Sequence, residues 1–102
     1  MSRFVQLQPK GIARLLVDPA LDPDRLRIHI SEIEPGTRAH PPHTHAGVEA
    51  FYVLEGEGVL EIGEESYPLR ANEGIVIDPG TQHGFVNSGD GRLRYMVIIS
   101  KP

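Results

Sequence analysis

"LRIHIS", residues 26–31, sets apolar Leu26, Ile28 and Ile30 against polar Arg27, His29 and Ser31. A repeat of two is the mark of an extended strand, whose successive side chains point to opposite faces; a helix would repeat near 3.6. The stretch lies within residues 24–34, one of the two longest segments free of Gly and Pro. The other, residues 92–101, is equally rich in Ile, Val and Leu. Elsewhere 11 glycines and nine prolines break the chain too often for a helix of three turns or more. The sequence therefore predicts an all-β fold.

Strands are expected near 3–7, 12–17, 25–33, 43–46, 49–54, 58–62, 66–69, 74–77, 83–87 and 92–100. Turns are expected at 18–24, 34–36, 55–56, 63–65, 71–73, 78–80 and 87–91. Many short strands at regular spacing predict a sandwich or barrel, the double-sheet jelly roll among them. Edge strands must be closed or covered, and the N-terminal segment 1–24 is expected to pair with a second subunit.

The 102 residues suffice for one domain, 1–102, with its barrel over 25–100. At 39% hydrophobic residues the composition is that of a folded globular chain. A net charge of −4 with both signs interspersed gives no footprint for nucleic acid. With no cysteine, disulfides and thiolate metal sites are excluded, so any metal site is built from His, Asp and Glu. There is no signal-like apolar run at the N-terminus and no membrane-length apolar stretch. A soluble cytoplasmic protein without a membrane partner is the expectation.

Three of the five histidines fall within six positions in "HPPHTHAGVE", residues 40–49. His43 and His45 are two apart and share a face of an extended chain, and Glu49 has the same parity. Gly47 lies between them, where the backbone can bend to bring the carboxylate level with the imidazoles. A second block, "NEGIVIDPGTQHGFVN" over 72–87, carries His83 with Phe85 and Asn87 on its strand face. The residues 57–71 between the blocks can form a hairpin that lays the two side by side. Three imidazoles and one carboxylate could then meet at one divalent ion.

The two blocks resemble the paired motifs of the cupin superfamily in its small single-domain, conserved-barrel form (cupin 2 type, RmlC-like). The resemblance covers about residues 32–100 and implies a jelly-roll barrel, a double-stranded β-helix. It implies metal ligation by His43, His45, Glu49 and His83, and a homodimer. The chain departs from the family pattern in three places. The interval from Gly36 to His43 is one residue longer than usual. Asn72 stands where Gly is usual, and it tolerates the left-handed turn conformation that Gly would adopt. Asp78 stands where Pro is usual, with Pro79 directly after it.

Phe51, Val53 and Phe85 are candidate pocket-lining residues, with His40 at the rim. One parity of the last strand joins them, either Arg94, Met96 and Ile98 or Tyr95, Val97 and Ile99; Met96 is taken into the candidate lining. His29, between two isoleucines, is expected to face solvent or a subunit contact. The acidic run from Glu55 to Glu65 reads as a solvated hairpin.

Three His and one Glu suit Mn, Fe, Ni, Co, Zn or Cu. A coordination position left open separates a catalytic metal site from a structural one. No second carboxylate is clearly aimed at the site, which favours metal-centred chemistry over proton shuttling by a paired acid and base. The leading expectation is a metal-dependent enzyme on a small organic substrate, dioxygenase ahead of isomerase or lyase. A non-catalytic small-molecule-binding or sensing domain is the alternative, and a metal-free structural barrel the third.

Overall fold

The structure, a computed structural model, describes residues 5–7 and 15–101. Nine strands run in order: β1 (Val5–Leu7), β2 (Leu15–Val17), β3 (Leu26–Ile33), β4 (Val48–Glu55), β5 (Glu57–Ile62), β6 (Glu65–Arg70), β7 (Gly74–Ile77), β8 (His83–Asn87) and β9 (Leu93–Ser100). No helix occurs among the described residues, so none is long and apolar enough to cross a membrane. β1 and β2 pair as a separate hairpin. The body is a four-stranded sheet ordered β3-β9-β4-β7 facing a three-stranded sheet ordered β6-β5-β8, every pairing antiparallel. This is the jelly-roll, double-stranded β-helix architecture that the family resemblance implies, one of the forms open to the strand spacing.

Most expected strands are present within a residue or two. The expected strand over 43–46 is not: that segment makes a single bridge, His43 opposite His83. Pro41 and Pro42 directly before it lack the backbone donors that a ladder leading into the segment requires. Of the two N-terminal strands expected, residues 3–4 and 12–14 lie outside the described residues.

Turn chemistry follows local sequence. Asn72 takes the left-handed conformation, φ 69°, as its polar side chain permits. Gly47 has φ 106°, and a Cβ there would stand 2.2 Å from the carbonyl oxygen of Ser100. Only glycine lets the chain turn so closely past the end of β9 into β4.

Register places each side chain. Arg27, Ile99, Glu49 and Ile77 form one row across the large sheet; His29, Val97, Phe51 and Ile75 form the next; Ser31, Tyr95 and Val53 form the third. These rows face the small sheet. Toward its closed end the core is Val53, Leu60, Leu69, Phe85, Leu93 and their neighbours. Phe51, Phe85 and Tyr95 interlock with ring centroids 4.9–6.2 Å apart, in the range where aromatic pairs add to simple burial.

The opposite parity makes a second surface. Leu26, Ile28 and Ile30 of β3, Met96 and Ile98 of β9, Val48, Ala50 and Tyr52 of β4 and Val76 of β7 share the outer face of the large sheet. Val76 is 69% exposed and Val48 53% exposed. This reverses two expectations. The isoleucines of "LRIHIS" turn outward and His29 turns into the barrel, because the inner face is polar where the barrel opens. Met96, on the outward parity, does not line the cavity.

Asn87 closes the far end. Its side chain is buried and fully bonded: Nδ2 donates to the carbonyls of Ile33 and Gly91, both at 2.8 Å, and Oδ1 accepts from the Gly89 amide at 2.9 Å.

Candidate metal centre

Four side chains from three parts of the chain meet where the two sheets open. His43 and His83 exchange both backbone hydrogen bonds at 3.0 Å, and their rings meet edge to face at 82°, centroids 4.6 Å apart. His45 is fixed by its amide, which donates to the carbonyl of buried Pro79 at 2.9 Å. The turn 78–80 that presents this carbonyl is closed by Asp78 Oδ1, which accepts from the Gly80 amide. Glu49 arrives from β4 after the bend at Gly47. One ligand atom from each of His43, His45, Glu49 and His83 lies within 4.8 Å of all the others, so the group could hold a metal ion.

The donor set tests whether such an ion fits. His83 Nδ1 lies 2.9 Å from the Thr81 carbonyl and His45 Nδ1 lies 3.1 Å from the Ala46 carbonyl. A carbonyl can only accept, so each Nδ1 carries the proton, and the Nε2 of a ring left neutral presents a lone pair. The two Nε2 atoms stand 2.8 Å and 2.9 Å from the same oxygen, Glu49 Oε1. His83 Nε2 is buried and has no hydrogen-bond partner. The short His83–Glu49 approach is thus a contact without hydrogen-bond geometry. Glu49 is 4% exposed and His83 1%. His45 Nε2 is hydrogen-bonded to the carboxylate, but His83 Nε2 faces it unpaired, an unfavourable buried arrangement that a cation among them corrects. The carbonyl behind each imidazole is the outer-shell partner that orients metal-binding histidines. The residues fit a divalent ion.

Around them is a cavity of about 440 Å³, within the size range of small-molecule sites. His40 lines it and stacks on His43, ring centroids 4.2 Å apart at 23°. It therefore backs a candidate ligand from the rim. Phe51 and Phe85 form the floor. Val53, expected in the lining, is fully buried one row deeper in the core and is absent from the cavity wall. Its parity was read correctly, but the interlocked rings of Phe51, Phe85 and Tyr95 cap it.

The wall also contains residues that sequence reasoning left aside or undecided: Arg27, His29 and Ser31 of β3, Tyr95 of β9, and Lys101. The alternation in β3 marked one face as polar without saying that this face was the inner one. Burial pushes the Tyr95 phenol above its ordinary value; the Glu49 charge adds to this, and a hydrogen bond with Ser31 works against it. Tyr95 therefore stays protonated in the wall of the cavity.

The chain matches the cupin domain family over residues 29–99. It belongs to the cupins. Its fold has close counterparts among solved structures, including a cupin protein from Bacteroides fragilis with a TM-score of 0.76 at 21% identity, covering 99% of this chain and 86% of that one. Among curated relatives, the HTH-type transcriptional regulator PuuR of Escherichia coli is 34% identical over 92 residues, covering 89% of this cupin and 49% of the regulator. The oxalate-binding protein of Thermotoga maritima is 33% identical over 58 residues, covering 56% of this cupin and 48% of that protein. The chain spans about half the length of these relatives.

Proposed function

We propose that this cupin binds one divalent first-row metal ion through His43, His45, Glu49 and His83 and acts as a metal-dependent enzyme on a small organic molecule in the adjoining cavity. Dioxygenation is the favoured reaction, ahead of isomerisation or elimination. The observation that carries the reading is the convergence of two imidazole Nε2 atoms, that of His83 without a hydrogen-bond partner, on one buried carboxylate at the edge of that cavity. A bound ion supplies Lewis acidity and, where it is redox-active, dioxygen chemistry.

The chain's own residues do the rest. Phe51 and Phe85 keep water from the floor, and Tyr95 offers a proton or hydrogen bond from the wall. The second lining carboxylate, Glu32, lies 3.2 Å from the Arg92 guanidinium and is committed to it. The described cavity therefore lacks a free acid–base carboxylate pair, which supports oxidative chemistry over proton shuttling.

A second reading is a binding or sensing domain in which the ion only holds the ligand. The match to PuuR over 89% of this chain, and the match to an oxalate-binding protein, favour it. Oxygen uptake by metal-loaded protein over a panel of catechols, β-diketones and flavonols separates the two. Ligand-dependent uptake that disappears in His83→Ala supports the enzyme. Tight ligand binding without uptake or product supports the binder.

The homodimer is part of the same proposal, supported by the apolar outer face of the large sheet, where Val48, Val76 and Tyr52 are exposed on three successive rows around Ile28 and Ile98. Sedimentation should give twice the chain mass for the native protein and a monomer for Val76→Lys. A native monomer at high concentration would remove the dimer.

A further inference from the structure

The cavity wall is chemically lopsided. Glu49 and Arg27 occupy the same row of the large sheet, two strands apart, with only Ile99 between them. Neighbouring strands lie about 4.8 Å apart, so the two backbones are separated by roughly 10 Å. Lys101 follows β9 with the parity of Ile99, and its amide donates to the Arg25 carbonyl at 3.1 Å. That bond holds it opposite Arg25, one row beyond Arg27 on the same face. Arg27 and Lys101 both line the cavity and form no ion pair among the described residues. The lining carboxylates do not neutralise them: Glu32 is paired with Arg92, and Glu49 belongs to the metal centre. The strip between the two charged ends is apolar, formed by Ile99 and Val97.

We propose that the cavity takes a short aliphatic dicarboxylate, one carboxylate at the metal centre and the other held by Arg27 and Lys101, with its methylene chain over Ile99. The inference rests on the metal reading above and adds the ligand's chemical class and the residues that select it. Guanidinium and ammonium groups make charge-assisted hydrogen bonds to a carboxylate, and the guanidinium can do so with two parallel bonds. The Ile99–Val97 strip accepts methylenes.

The test is calorimetric titration of metal-loaded protein with succinate and glutarate against butyrate and valerate, which match them in chain length and lack the second carboxylate. The diacids should bind at least about tenfold more tightly than the matched monoacids. In the double variant Arg27→Met, Lys101→Met, that advantage should vanish, with monoacid affinity and metal content unchanged. Equal binding of diacid and monoacid by the native protein, or a diacid preference that survives the double variant, overturns the proposal. Elemental analysis of the same samples separates the failures. A protein that takes up no metal overturns the metal centre and this inference together, whereas a loaded protein without the preference overturns this inference alone.

Discussion

Replacing Glu49 with Gln should stabilise the metal-free protein and remove most of its response to metal. Oε1 of Glu49 faces His83 Nε2 at 2.8 Å and His45 Nε2 at 2.9 Å, and the residue is 4% exposed. His45 Nε2 is hydrogen-bonded to that oxygen, whereas His83 Nε2 meets it without a hydrogen bond, so the metal-free site keeps a buried carboxylate against an unpaired ring nitrogen. Such a charge costs several kcal/mol, on the order of 3–5 when its partner is missing. Glutamine keeps the shape, drops the charge and offers an N–H to one Nε2. Part of the gain is lost because one ring stays unpaired, leaving about 1–3 kcal/mol of net stabilisation. For a domain of this length 1 kcal/mol moves the midpoint by about 4–8 °C, so the rise should be roughly 5–20 °C. Metal at about 100 times its dissociation constant should add about 2.7 kcal/mol to the native protein and a small fraction of that to Glu49→Gln. The assay is thermal unfolding by circular dichroism at pH 8, each protein with EDTA and with saturating Mn, Ni or Zn. A variant that melts below the native protein in EDTA, or that keeps the full metal-induced rise, would refute the reasoning.

Three further outcomes follow from the same geometry. Tyr95 has a raised folded-state pKa against an ordinary value of 10.0. Its contribution is therefore complete below pH 10 and lost as the pH climbs through that value toward the folded one, where the unfolded chain releases the proton first. Tyr95→Phe should flatten the alkaline fall in urea-measured stability, and an unchanged slope would contradict the buried-phenol reading. Asn87→Ala strands the Ile33 and Gly91 carbonyls and the Gly89 amide and should cost about 3 kcal/mol; a loss under about 1 kcal/mol would show that water replaces the side chain. Gly47→Ala forces a Cβ to within 2.2 Å of Ser100 O at a positive φ. It should cost on the order of 2–4 kcal/mol and weaken metal binding by shifting Glu49, as equilibrium dialysis would report; unaltered binding would mean that Gly47 does not position the carboxylate.

How much of this was legible in the sequence depends on which kind of signal carried it. Strand positions were readable because alternation and Gly–Pro punctuation are local, and Asn72 adopts the left-handed turn for a reason stated by its own side chain. The convergence of His43, His45, Glu49 and His83 was readable because a hairpin of known length joins the two blocks and Gly47 allows the bend before Glu49, although residues 43–46 reach the site through a single bridge and not as the strand that parity assumed. What a period of two cannot say is which face is the inside. In β3 the apolar parity faces outward and the polar parity inward, the reverse of the usual rule, because the barrel mouth is lined with polar groups and the outer sheet face is apolar. Met96 and His29 were misread for that reason. Val53 was misread for another: depth along the barrel axis depends on packing of Phe51, Phe85 and Tyr95, which come from three strands distant in sequence. The separate β1–β2 hairpin is likewise a matter of tertiary packing that a search for edge strands does not resolve.

The most direct measurement is elemental analysis of the protein purified without a metal-affinity step, native and His83→Ala side by side, each before and after incubation with a mixture of divalent ions and desalting. The account expects about one first-row divalent ion per native chain and almost none in the variant, with the variant keeping the native circular dichroism spectrum. A native protein that neither carries nor takes up a stoichiometric ion, or a His83→Ala variant that retains it, would contradict the account.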